Sequence, residues 1–507
     1  MKAVWWIKRD FRIYDNQCLW EATAEADVVL PFFCWEKKVI EEGDYSSFHL
    51  QAQWDALHGL IGSLGKRGVA CRVVQGDVVE QLEILYAKMP FNLLYSHQET
   101  GNLVTFKRDT AVQKWCRTHD IKWMELNPSS VMRGGDADRR RLKLRQSDYR
   151  KQKPHGIPVL CNLQKLPELV EESGPTWTEL TSSIPKFHGM MPNKKLMKVN
   201  EKAAWTTMDS FFEERGIGYA GGISSPNTAF TNGSRLSSHL AWGTVSLRTI
   251  FDRLDQRREA LNGSEDRAIW NRSLRAFESR LFWRDHFIQR LEAFPELEKK
   301  ALNSAYADLK YEDDPDMLDA WINGKTGYPM VDACMRCLAG TGFLNFRMRA
   351  MVVSFACYGL HLSWKTIHEP LARLFHDYEP GIHLSQLQMQ AGVIGFNAIR
   401  VYSPTKQFLD HDPDGKFVKK WIPELKERTN AEIAHAEKSR IGGYFSPVVD
   451  LSIRSKEMKS RVFEIRKSVR GRDVTKKVLA KHGSRKSVSN RKRKNEKDNQ
   501  MTFLKTL

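Results

Sequence analysis

Long apolar stretches are missing from the sequence: no run approaches the roughly 18 residues that a membrane-spanning helix needs. The first residues, MKAVWWIKRDF, also lack the apolar core of a secretory signal peptide. The eight cysteines are scattered over 507 residues, which argues against the disulfide framework of small secreted domains. These absences predict a soluble, intracellular protein, located in the cytoplasm.

Acidic residues are fewer than basic ones: the chain has 61 Asp and Glu and 79 Lys and Arg, and its formal net charge is +18. Residues 467–507 alone hold 14 basic and three acidic residues, with few apolar ones. Chains of this composition bury too little apolar surface to fold, so we expect disorder from about residue 467. This segment is either a plain solvated end or an arm that binds phosphates without sequence preference. The basic excess in the rest of the chain weakly favours a polyanionic partner.

Only one pair of cysteines is closely spaced, Cys334 and Cys337 in the apolar stretch PMVDACMRCLAG. A structural zinc or iron–sulfur site needs more ligands than this single pair supplies. We therefore interpret both residues as buried thiols of a helix, and we predict no metal site.

The fingerprint G-x-G-x-x-G does not follow the first apolar strand, where RDFRIYDN stands instead, so a standard dinucleotide site is not supported there. Residues 1–130 nevertheless alternate between short apolar runs and amphipathic segments. This alternation is typical of an α/β domain with a doubly wound parallel sheet. We expect strands at 3–8, 27–35, 69–76, 91–98 and 121–126, and helices at 48–68, 78–89 and 104–119.

Beyond residue 130 the β-branched alternation of strands almost disappears. Residues 131–200 are rich in proline and basic residues with weak periodicity, and we interpret them as a long interdomain linker. Residues 201–450 carry helical periodicity throughout, as in 264–294, and predict a large all-α domain. Residues 451–507 are then a basic C-terminal extension.

The stretch GFLNFRMRAM is typical of an apolar helix, yet it carries Arg347 and Arg349. Two positions on a helix are separated by about 200°, so the two guanidinium groups cannot serve the same surface. Upstream, TNGSRLSSHLAWG (231–243) runs from a turn into a helix, with Ser234 and Ser237 near its start. Small donors and free backbone N–H groups there can hold a phosphate, although an ordinary helix cap has the same pattern.

Two further segments combine acids, arginines and amides. SRLFWRDHFIQRL places Arg284 and Asp285 on an apolar helix, where a buried arginine needs an acid or a phosphate. FHDYEPGIHLSQLQMQAG supplies Asp377 and Glu379 and then a polar, uncharged surface. That surface suits a flat heterocycle that is read by hydrogen bonds. A capped helix junction with buried amides is the alternative.

Together these segments resemble the photolyase/cryptochrome flavoproteins, from residue 1 to about 450. The resemblance is carried by KRDFRIYDN, GSRLS, FWRDHF, WINGKTGYPMVDACMRCLAGTGFLNFRMRAM and IRVYSPTKQFLDHDPDGKFVKKWIPEL. It implies an α/β antenna-type domain and a helical domain that binds FAD over a cavity in the DNA-binding face. It also implies light-driven electron transfer from reduced FAD to a pyrimidine dimer that has been taken out of the duplex.

The resemblance also implies roles for single residues. Arg349 matches an arginine that stacks on the flavin and pairs with the acid at Asp377, whereas Arg347 matches a position that faces the DNA-side cavity. Trp283 matches a tryptophan that stacks on the flipped dimer, and His383 stands where the family has an asparagine beside flavin N5. Trp283, Arg347 and His383 are therefore the expected catalytic residues. The implied cofactor-binding residues are Tyr219, Ser234, Arg235, Leu236, Ser237, Arg284, Arg349, Asp377, Glu379 and His383.

The dimer cavity departs from the family pattern. The glutamate that contacts the dimer in common cyclobutane-dimer photolyases corresponds to Arg280. Two further cavity positions correspond to Phe346 and Ala350, which also removes the histidine pair of (6-4) photolyases. The sequence thus suggests a divergent, bacterial-type member of the family.

The usual electron-transfer chain of three tryptophans is also incomplete. Its flavin-proximal member corresponds to Leu387, which cannot be oxidised, and its outermost member to Tyr311; only Trp364 is retained for electron transfer. Photoreduction through this chain is expected to fail. Other routes, through Trp321, Tyr358 or Tyr402, stay open.

Two functions remain open at this point: a lyase that repairs pyrimidine dimers in DNA, and a cryptochrome-like blue-light receptor. The basic charge, Trp283 and Arg347 favour repair; a redox flavoenzyme with no role for light is a third option. DNA is the expected partner, and we expect a monomer. A folate or deazaflavin antenna could occupy the α/β domain. SHQETGN (96–102) lies at a strand-to-helix junction where a ligand could bind, although a plain loop would look the same.

Overall fold

The computed structural model describes residues 1–160 and 174–482 of the chain. Its N-terminal part is a five-stranded parallel sheet with the strand order β3-β2-β1-β4-β5. The chain winds outward from β1 in both directions, so the predicted doubly wound α/β fold is confirmed. The strands are β1 (Lys2–Trp6), β2 (Val28–Glu36), β3 (Arg72–Gly76), β4 (Leu93–His97) and β5 (Lys122–Leu126).

The central strand β1 explains why this sheet is covered on both faces. Val4 pairs in register with Leu30 of β2 and with Leu94 of β4, and all three side chains are buried. Trp5 and Trp6 are also buried and, because side chains alternate along a strand, belong to apolar clusters on opposite faces. Parallel sheets with helices on both faces have such continuous apolar strands.

The longer helices around the sheet occur where long amphipathic segments of the sequence predicted them. The three expected helices form, and two that were not expected, α1 and α2, also form. The side chain of Asn16 caps α1, because its Oδ1 accepts a hydrogen bond from the Leu19 N–H at 3.0 Å. The helices are α1 (Gln17–Glu25), α2 (Lys37–Ile40), α3 (Ser47–Gly65), α4 (Val78–Lys88) and α5 (Leu103–Thr118).

The predicted linker contains regular structure. Helix α6 (Arg139–Lys151) packs on the helical domain, and its Leu142 and Tyr149 are buried. A short helix, α7 (Trp177–Ser182), follows. The weak periodicity of this basic stretch hid α6, because only one narrow side of the helix is apolar. Residues 161–173 of the predicted linker lie outside the described residues.

The second part of the chain is the expected helical domain, and no strand occurs in its described residues. One extended apolar core, centred on residues such as Trp321 and Phe355, fills it. The helices up to residue 450 are α8 (Glu201–Glu213), α9 (Tyr219–Gly222), α10 (Ala229–Asn232), α11 (Ser237–Ala241), α12 (Leu247–Ala260), α13 (Arg267–Ala293), α14 (Pro315–Ile322), α15 (Pro329–Thr341), α16 (Phe346–Tyr358), α17 (Trp364–Leu374), α18 (Pro380–Gln390), α19 (Pro404–His411), α20 (Lys416–Trp421) and α21 (Asn430–Ala434).

The expectation of disorder from about residue 467 is wrong for residues 468–482. Helix α22 (Leu451–Lys467) places Met458 and Val462 in the main helical core. Helix α23 (Val469–His482) follows and adds Val478 to the same core. Composition misled here because a basic helix needs only one apolar side to dock on an existing core. The rest of the predicted disordered segment, residues 483–507, lies outside the described residues.

The two parts of the chain are joined by buried polar contacts. Asp15, in the segment after β1, forms an ion pair with Arg248 of α12 at 3.0 Å. Asp44 accepts a hydrogen bond from the Tyr378 hydroxyl at 2.8 Å. Because such groups are costly to bury unpaired, they fix how the sheet meets the helical domain.

The cysteines behave as interpreted from their spacing. All seven in the described residues are buried and free, and Cys161 lies outside these residues. Burial raises the pKa of Cys337 to about 12 and that of Cys334 well above its usual value. Within the described ranges, no helix has the length and apolarity needed to cross a bilayer.

Candidate functional site

A left-handed glycine positions the helix that carries the two arginines. Gly342 ends α15 with φ at 68°, and a Cβ built there would lie 2.6 Å from Cβ of His376. Glycine adopts this conformation without steric cost, whereas other residues do not. The tight turn brings the start of α16 against the segment before α18, which holds the predicted acids.

Arg349 is held on three sides. Its Nη2 donates to Asp377 Oδ2 at 2.8 Å, and its Nε donates to the Leu344 carbonyl at 2.6 Å. The guanidinium also lies 4.1 Å from the ring centroid of Phe375, a cation–π contact. The ion pair between Arg349 and Asp377, implied by the resemblance, is thus present.

Asp377 is an ionised carboxylate in a buried setting. Burial by itself would raise its pKa, but the Arg349 guanidinium and the nearby Ser237 hydroxyl lower it below the usual value. The carboxylate is therefore charged at neutral pH. It keeps the Arg349 guanidinium in one orientation.

The conformation of the predicted phosphate loop is held by the left-handed backbone of Arg235 and by contacts from Arg215. Arg235 adopts a left-handed conformation with φ at 59°, and its guanidinium lies 3.9 Å from the ring centroid of Phe343. Arg215 donates to the carbonyl of Ser234 at 2.8 Å and so ties the loop to the preceding helix. Leu236 is fully buried beneath the loop, whereas Ser237 is exposed.

Arg235 has no acidic partner of its own within hydrogen-bonding distance in the described residues. Burial lowers its pKa, and its Nη1 has no hydrogen-bond partner in the same residues, 1–160 and 174–482. A buried guanidinium in this state has unused donor capacity. Such a group, beside an exposed serine at the start of a helix, fits a phosphate.

Arg284 and Glu379 form a second polar pair. Arg284 contacts Asp285 at 3.1 Å and Glu379 at 3.6 Å, and Arg9 from the sheet domain lies 3.9 Å from the same Glu379 carboxylate. Burial raises the pKa of Glu379 although both arginines act to lower it. The Ser130 hydroxyl donates to Asp285 Oδ2 at 2.6 Å, while Asp285 Oδ1 accepts from Arg284, so Arg284 bridges Asp285 and Glu379.

His383 is a neutral histidine in the first turn of α18, shortly after Asp377 and Glu379. Burial lowers its pKa well below the usual value, so its ring carries no charge at pH 7. The ring lies 5.2 Å from that of His368 and 5.3 Å from that of Tyr378. Its Nε2 is buried, and no atom of the described residues forms a hydrogen bond with it. A neutral imidazole nitrogen can donate or accept toward a ligand heteroatom.

Trp283 presents its ring to solvent. The residue is 36% exposed, and the ring stacks on Phe287 with a centroid separation of 5.6 Å. Arg139, at the start of α6, lies 4.8 Å from the ring centroid. An exposed indole held by packing and flanked by a cation can receive a nucleobase.

Arg347 takes a different surface from Arg349, as the helical spacing predicts. Burial lowers the pKa of His411 of α19, and the charge of the nearby Arg347 lowers it further. The Nε of Arg347 is buried and has no hydrogen-bond partner in the described ranges. Arg349 by contrast turns to Asp377 and Phe375.

Two of the predicted site residues, Tyr219 and Trp364, are buried in the protein interior. Tyr219 is buried against the rings of Phe211 and Phe277, with Arg280 beside its hydroxyl. Trp364 is 4% exposed at the start of α17.

The alternative electron routes stay predictions, since none of them is tested by these contacts. Leu387 is buried on α18. Trp321 and Tyr358 are fully buried, and Tyr402 is partly buried.

The loop at 96–102 is tied into ion pairs. Glu99 contacts Arg9 at 3.2 Å and Arg108 at 2.6 Å. Asn102 caps helix α5.

Sequence reasoning missed several residues that shape the site. Phe343 lies beneath Arg235, Phe375 beneath Arg349, and Arg215 holds the phosphate loop. Phe343 belongs to GFLNFRMRAM and directly follows the glycine of the turn, a local signal that could have identified it. Phe375 and Arg215 had no such signal, because their contacts cross between elements.

The donor set matches FAD in charge and in hydrogen-bonding capacity. Arg235 Nη1, His376 Nε2 and His383 Nε2 are buried and have no hydrogen-bond partner among the described residues, so this region has unused hydrogen-bonding capacity. The phosphate side would be held by Arg235 and Ser237. The ring system would be held by the Arg349–Asp377 pair, the Arg284–Glu379 pair and the neutral His383.

Comparison with known proteins gives matches along most of the chain. Residues 3–145 match the family model described as DNA photolyase, and residues 277–464 match the FAD-binding domain of DNA photolyase. A deoxyribodipyrimidine photo-lyase of Alkalihalophilus pseudofirmus is 30% identical over 446 residues, covering 84% of this chain and 88% of that protein. A chloroplastic/mitochondrial cryptochrome DASH of Solanum lycopersicum is 25% identical, covering 84% of this chain and 77% of that protein.

A solved structure shares the fold. A cryptochrome of Synechocystis superposes with a TM-score of 0.77 at 19% identity, covering 90% of this chain and 98% of its own. At this identity the similarity shows a shared fold and no more. With the matched domains and the photo-lyase relative, these results identify the chain as a FAD-binding member of the DNA photolyase and cryptochrome family.

Proposed function

We propose that the protein is a FAD-dependent lyase that repairs pyrimidine dimers in DNA under blue or near-UV light. The observation that carries the proposal is Trp283, an exposed indole stacked on Phe287 and flanked by Arg139. Exposure of a single apolar side chain is common by itself, so the proposal rests on the combination of an exposed ring, its stacking on Phe287 and the flanking guanidinium. A nucleobase is the partner that an indole and a guanidinium together favour.

The chain's residues divide the work of holding the cofactor. Arg235 and Ser237 bind the phosphates, and the ion pair of Arg349 with Asp377 fixes a cation beside the ring system. FAD, when bound, supplies light absorption and the electron for dimer splitting. His383 stays neutral because burial lowers its pKa, so it offers a hydrogen bond without adding a charge.

On the DNA side, Trp283 supplies a stacking surface and Arg347 supplies a cation. The net positive charge of the chain attracts the phosphate backbone without reading sequence. The two arginines of α16 thus serve substrate and cofactor from one helix, because they are about 200° apart.

A cryptochrome-like photoreceptor is the second candidate. One feature favours it: Arg280 stands where the resemblance predicts a dimer-contacting glutamate, and it is exposed. A relative named cryptochrome DASH covers much of the chain. In this case flavin redox state would be the signal, and no dimer would be split.

The deciding experiment is blue-light repair of a dimer-containing oligonucleotide by chemically reduced protein. Chemical reduction bypasses the uncertain photoreduction route, so only repair is measured. A repair lyase restores intact pyrimidines in the light and not in the dark. Light-dependent flavin changes with no repaired product would instead support the photoreceptor.

A further inference from the structure

Four basic side chains meet beside Trp283, and none of them has an acidic partner among the described residues. They come from three elements that are far apart in sequence: the start of α6, the last turns of α13 and the end of α23. Contacts and mutual pKa effects link them. We call them the basic cluster: Arg139, His286, Arg290 and His482.

Arg290 is the centre of the basic cluster. It is 4% exposed, and its Nη2 donates to Nε2 of His286 at 3.2 Å, while Nε and Nη1 have no hydrogen-bond partner in residues 1–160 and 174–482. Burial first, and then the charge of Arg139, lowers its pKa to about 10. No carboxylate of the described residues forms an ion pair with it. A buried cation without an anion is costly, so an anion from outside the chain would be strongly favoured here.

The two histidines add donors without adding charge. Burial lowers the pKa of both His286 and His482 to about 3, and Arg290 acts in the same direction. Both rings are therefore neutral at pH 7. His482 is 6% exposed, and its Nδ1 has no hydrogen-bond partner within the part of the chain that the structure describes. Unpartnered atoms of Arg290 and His482, two residues that are each more than nine-tenths buried, indicate a ligand that accepts hydrogen bonds and carries negative charge.

The basic cluster is continuous with the exposed indole. Arg139 lies 4.8 Å from the ring centroid of Trp283, and His286 makes an edge contact with that ring at 5.5 Å. Beyond His482 the chain continues into residues 483–507, which hold eight basic and two acidic residues. Basic residues are therefore frequent in the sequence that directly follows the cluster.

We propose that the basic cluster binds a backbone phosphate of the DNA strand whose base lies on Trp283. The proposal rests on the DNA-binding part of the proposed function and adds α23 to the nucleic-acid surface. A guanidinium offers several donors in one plane and suits phosphate oxygens, and neutral imidazoles donate beside it. A strand that stacks a base on the indole would bring a phosphate to its side.

The test is oligonucleotide binding by Arg290→Gln at several salt concentrations, measured by fluorescence anisotropy with a labelled thymidine oligomer. Loss of a charge-assisted contact should weaken binding by roughly tenfold or more. The slope of log K against log salt should fall by about 0.7 for one single-strand phosphate. Arg117→Gln, an equal loss of charge on an exposed side of α5, is the control and should change little. Equal affinity and slope in Arg290→Gln and the parent would overturn the inference.

Thermal unfolding provides a second readout that does not depend on DNA. Arg290→Gln removes an unpaired buried cation, so the variant should be at least as stable as the parent. Inorganic phosphate should raise the Tm of the parent more than that of the variant. If Arg290→Gln fails to fold, Arg139→Gln and His482→Gln replace it, and both should weaken oligonucleotide binding and reduce the stabilisation by inorganic phosphate. Only Arg139→Gln should lower the salt slope, because His482 is neutral at pH 7.

The outcomes separate this inference from the proposed function. Stabilisation by inorganic phosphate, with oligonucleotide affinity unchanged in the variants, would show a site for free phosphate and overturn the DNA assignment. Light-driven repair with normal DNA affinity in all three variants would overturn the inference and leave the proposed function intact. A parent that binds no DNA would overturn both.

Discussion

Arg349 and Asp377 form an ion pair of 2.8 Å that joins helix α16 to the segment before α18. The pair lies next to Phe375, whose ring faces the same guanidinium. Arg349 and Asp377 are 28 positions apart in sequence, so their contact depends on the tertiary fold. Their geometry gives the candidate flavin site a fixed cation and a fixed anion.

Removal of that anion should release the flavin. In Asp377→Ala, Arg349 would remain as an unpaired, partly buried cation, at a cost of about 3–5 kcal/mol. We expect the purified variant to contain little FAD, measured by absorbance against protein concentration. Asp316→Ala, on the exposed side of α14, is the control and should keep its flavin. A flavin-saturated Asp377→Ala protein would argue against the site.

Trp283→Ala should reduce the preference for damaged DNA. If one base stacks on the indole, the variant should lose roughly 1–3 kcal/mol of binding to a dimer-containing oligonucleotide relative to intact DNA. Competition binding with the two oligonucleotides measures this difference. Trp20→Ala is the matched control, because Trp20 is 41% exposed on the sheet domain. An unchanged preference in Trp283→Ala would remove the indole from the DNA interface.

Truncation after His482 should weaken DNA binding without unfolding the helical domain. The deletion removes eight basic and two acidic residues, so the slope of log K against log salt should decrease. Truncation after Lys467 should in addition lower the Tm, because it removes α23 and Val478 from the core. A salt slope equal to that of the full chain would exclude residues 483–507 as a phosphate-binding arm.

Trp364→Phe should photoreduce its flavin at nearly the parent rate. Leu387 offers no accessible electron where the family has its flavin-proximal tryptophan, so the electron is expected to enter elsewhere. The measurement is loss of oxidised-flavin absorbance under blue light with an external thiol. Repair by chemically reduced protein is the control and should be unaffected. Abolished photoreduction would place Trp364 on the working route.

Stability should fall as the pH drops below 6.5. Burial lowers the pKa of His49 and of His239 to about 3, whereas both would titrate near 6.5 in the unfolded chain. The unfolded state then binds more protons, so stability is complete above pH 6.5 and is lost toward lower pH. Each group should cost about 2 kcal/mol at pH 5.

Urea unfolding at pH 7 and pH 5 checks the titration of these histidines. In His49→Gln the difference between the two pH values should shrink by about 2 kcal/mol. His58→Gln, a histidine on the exposed side of α3, should leave the difference unchanged. Equal pH dependence in His49→Gln and the parent would contradict a neutral buried His49.

The sequence by itself determined the two-part architecture. Continuous apolar strands separated by amphipathic helices predict a doubly wound sheet, and long helical periodicity predicts the second domain, because these patterns are local and repeat at fixed spacing. The different directions of Arg347 and Arg349 were also local information, since helix geometry alone separates the two side chains. The family resemblance then supplied the expected cofactor and the candidate residues.

Only the tertiary structure decided which side chains meet. The sheet and the helical domain are joined through the ion pair of Asp15 with Arg248, and no local sequence pattern around either residue predicts this pair. Helix α23 likewise forms because an existing core accepts its narrow apolar side, although its composition predicted disorder. The basic cluster depends on the same docking, which brings His482 to Arg290. Composition and periodicity report local preferences, whereas burial and charge pairing arise from contacts between distant segments, and these exist only in the folded chain.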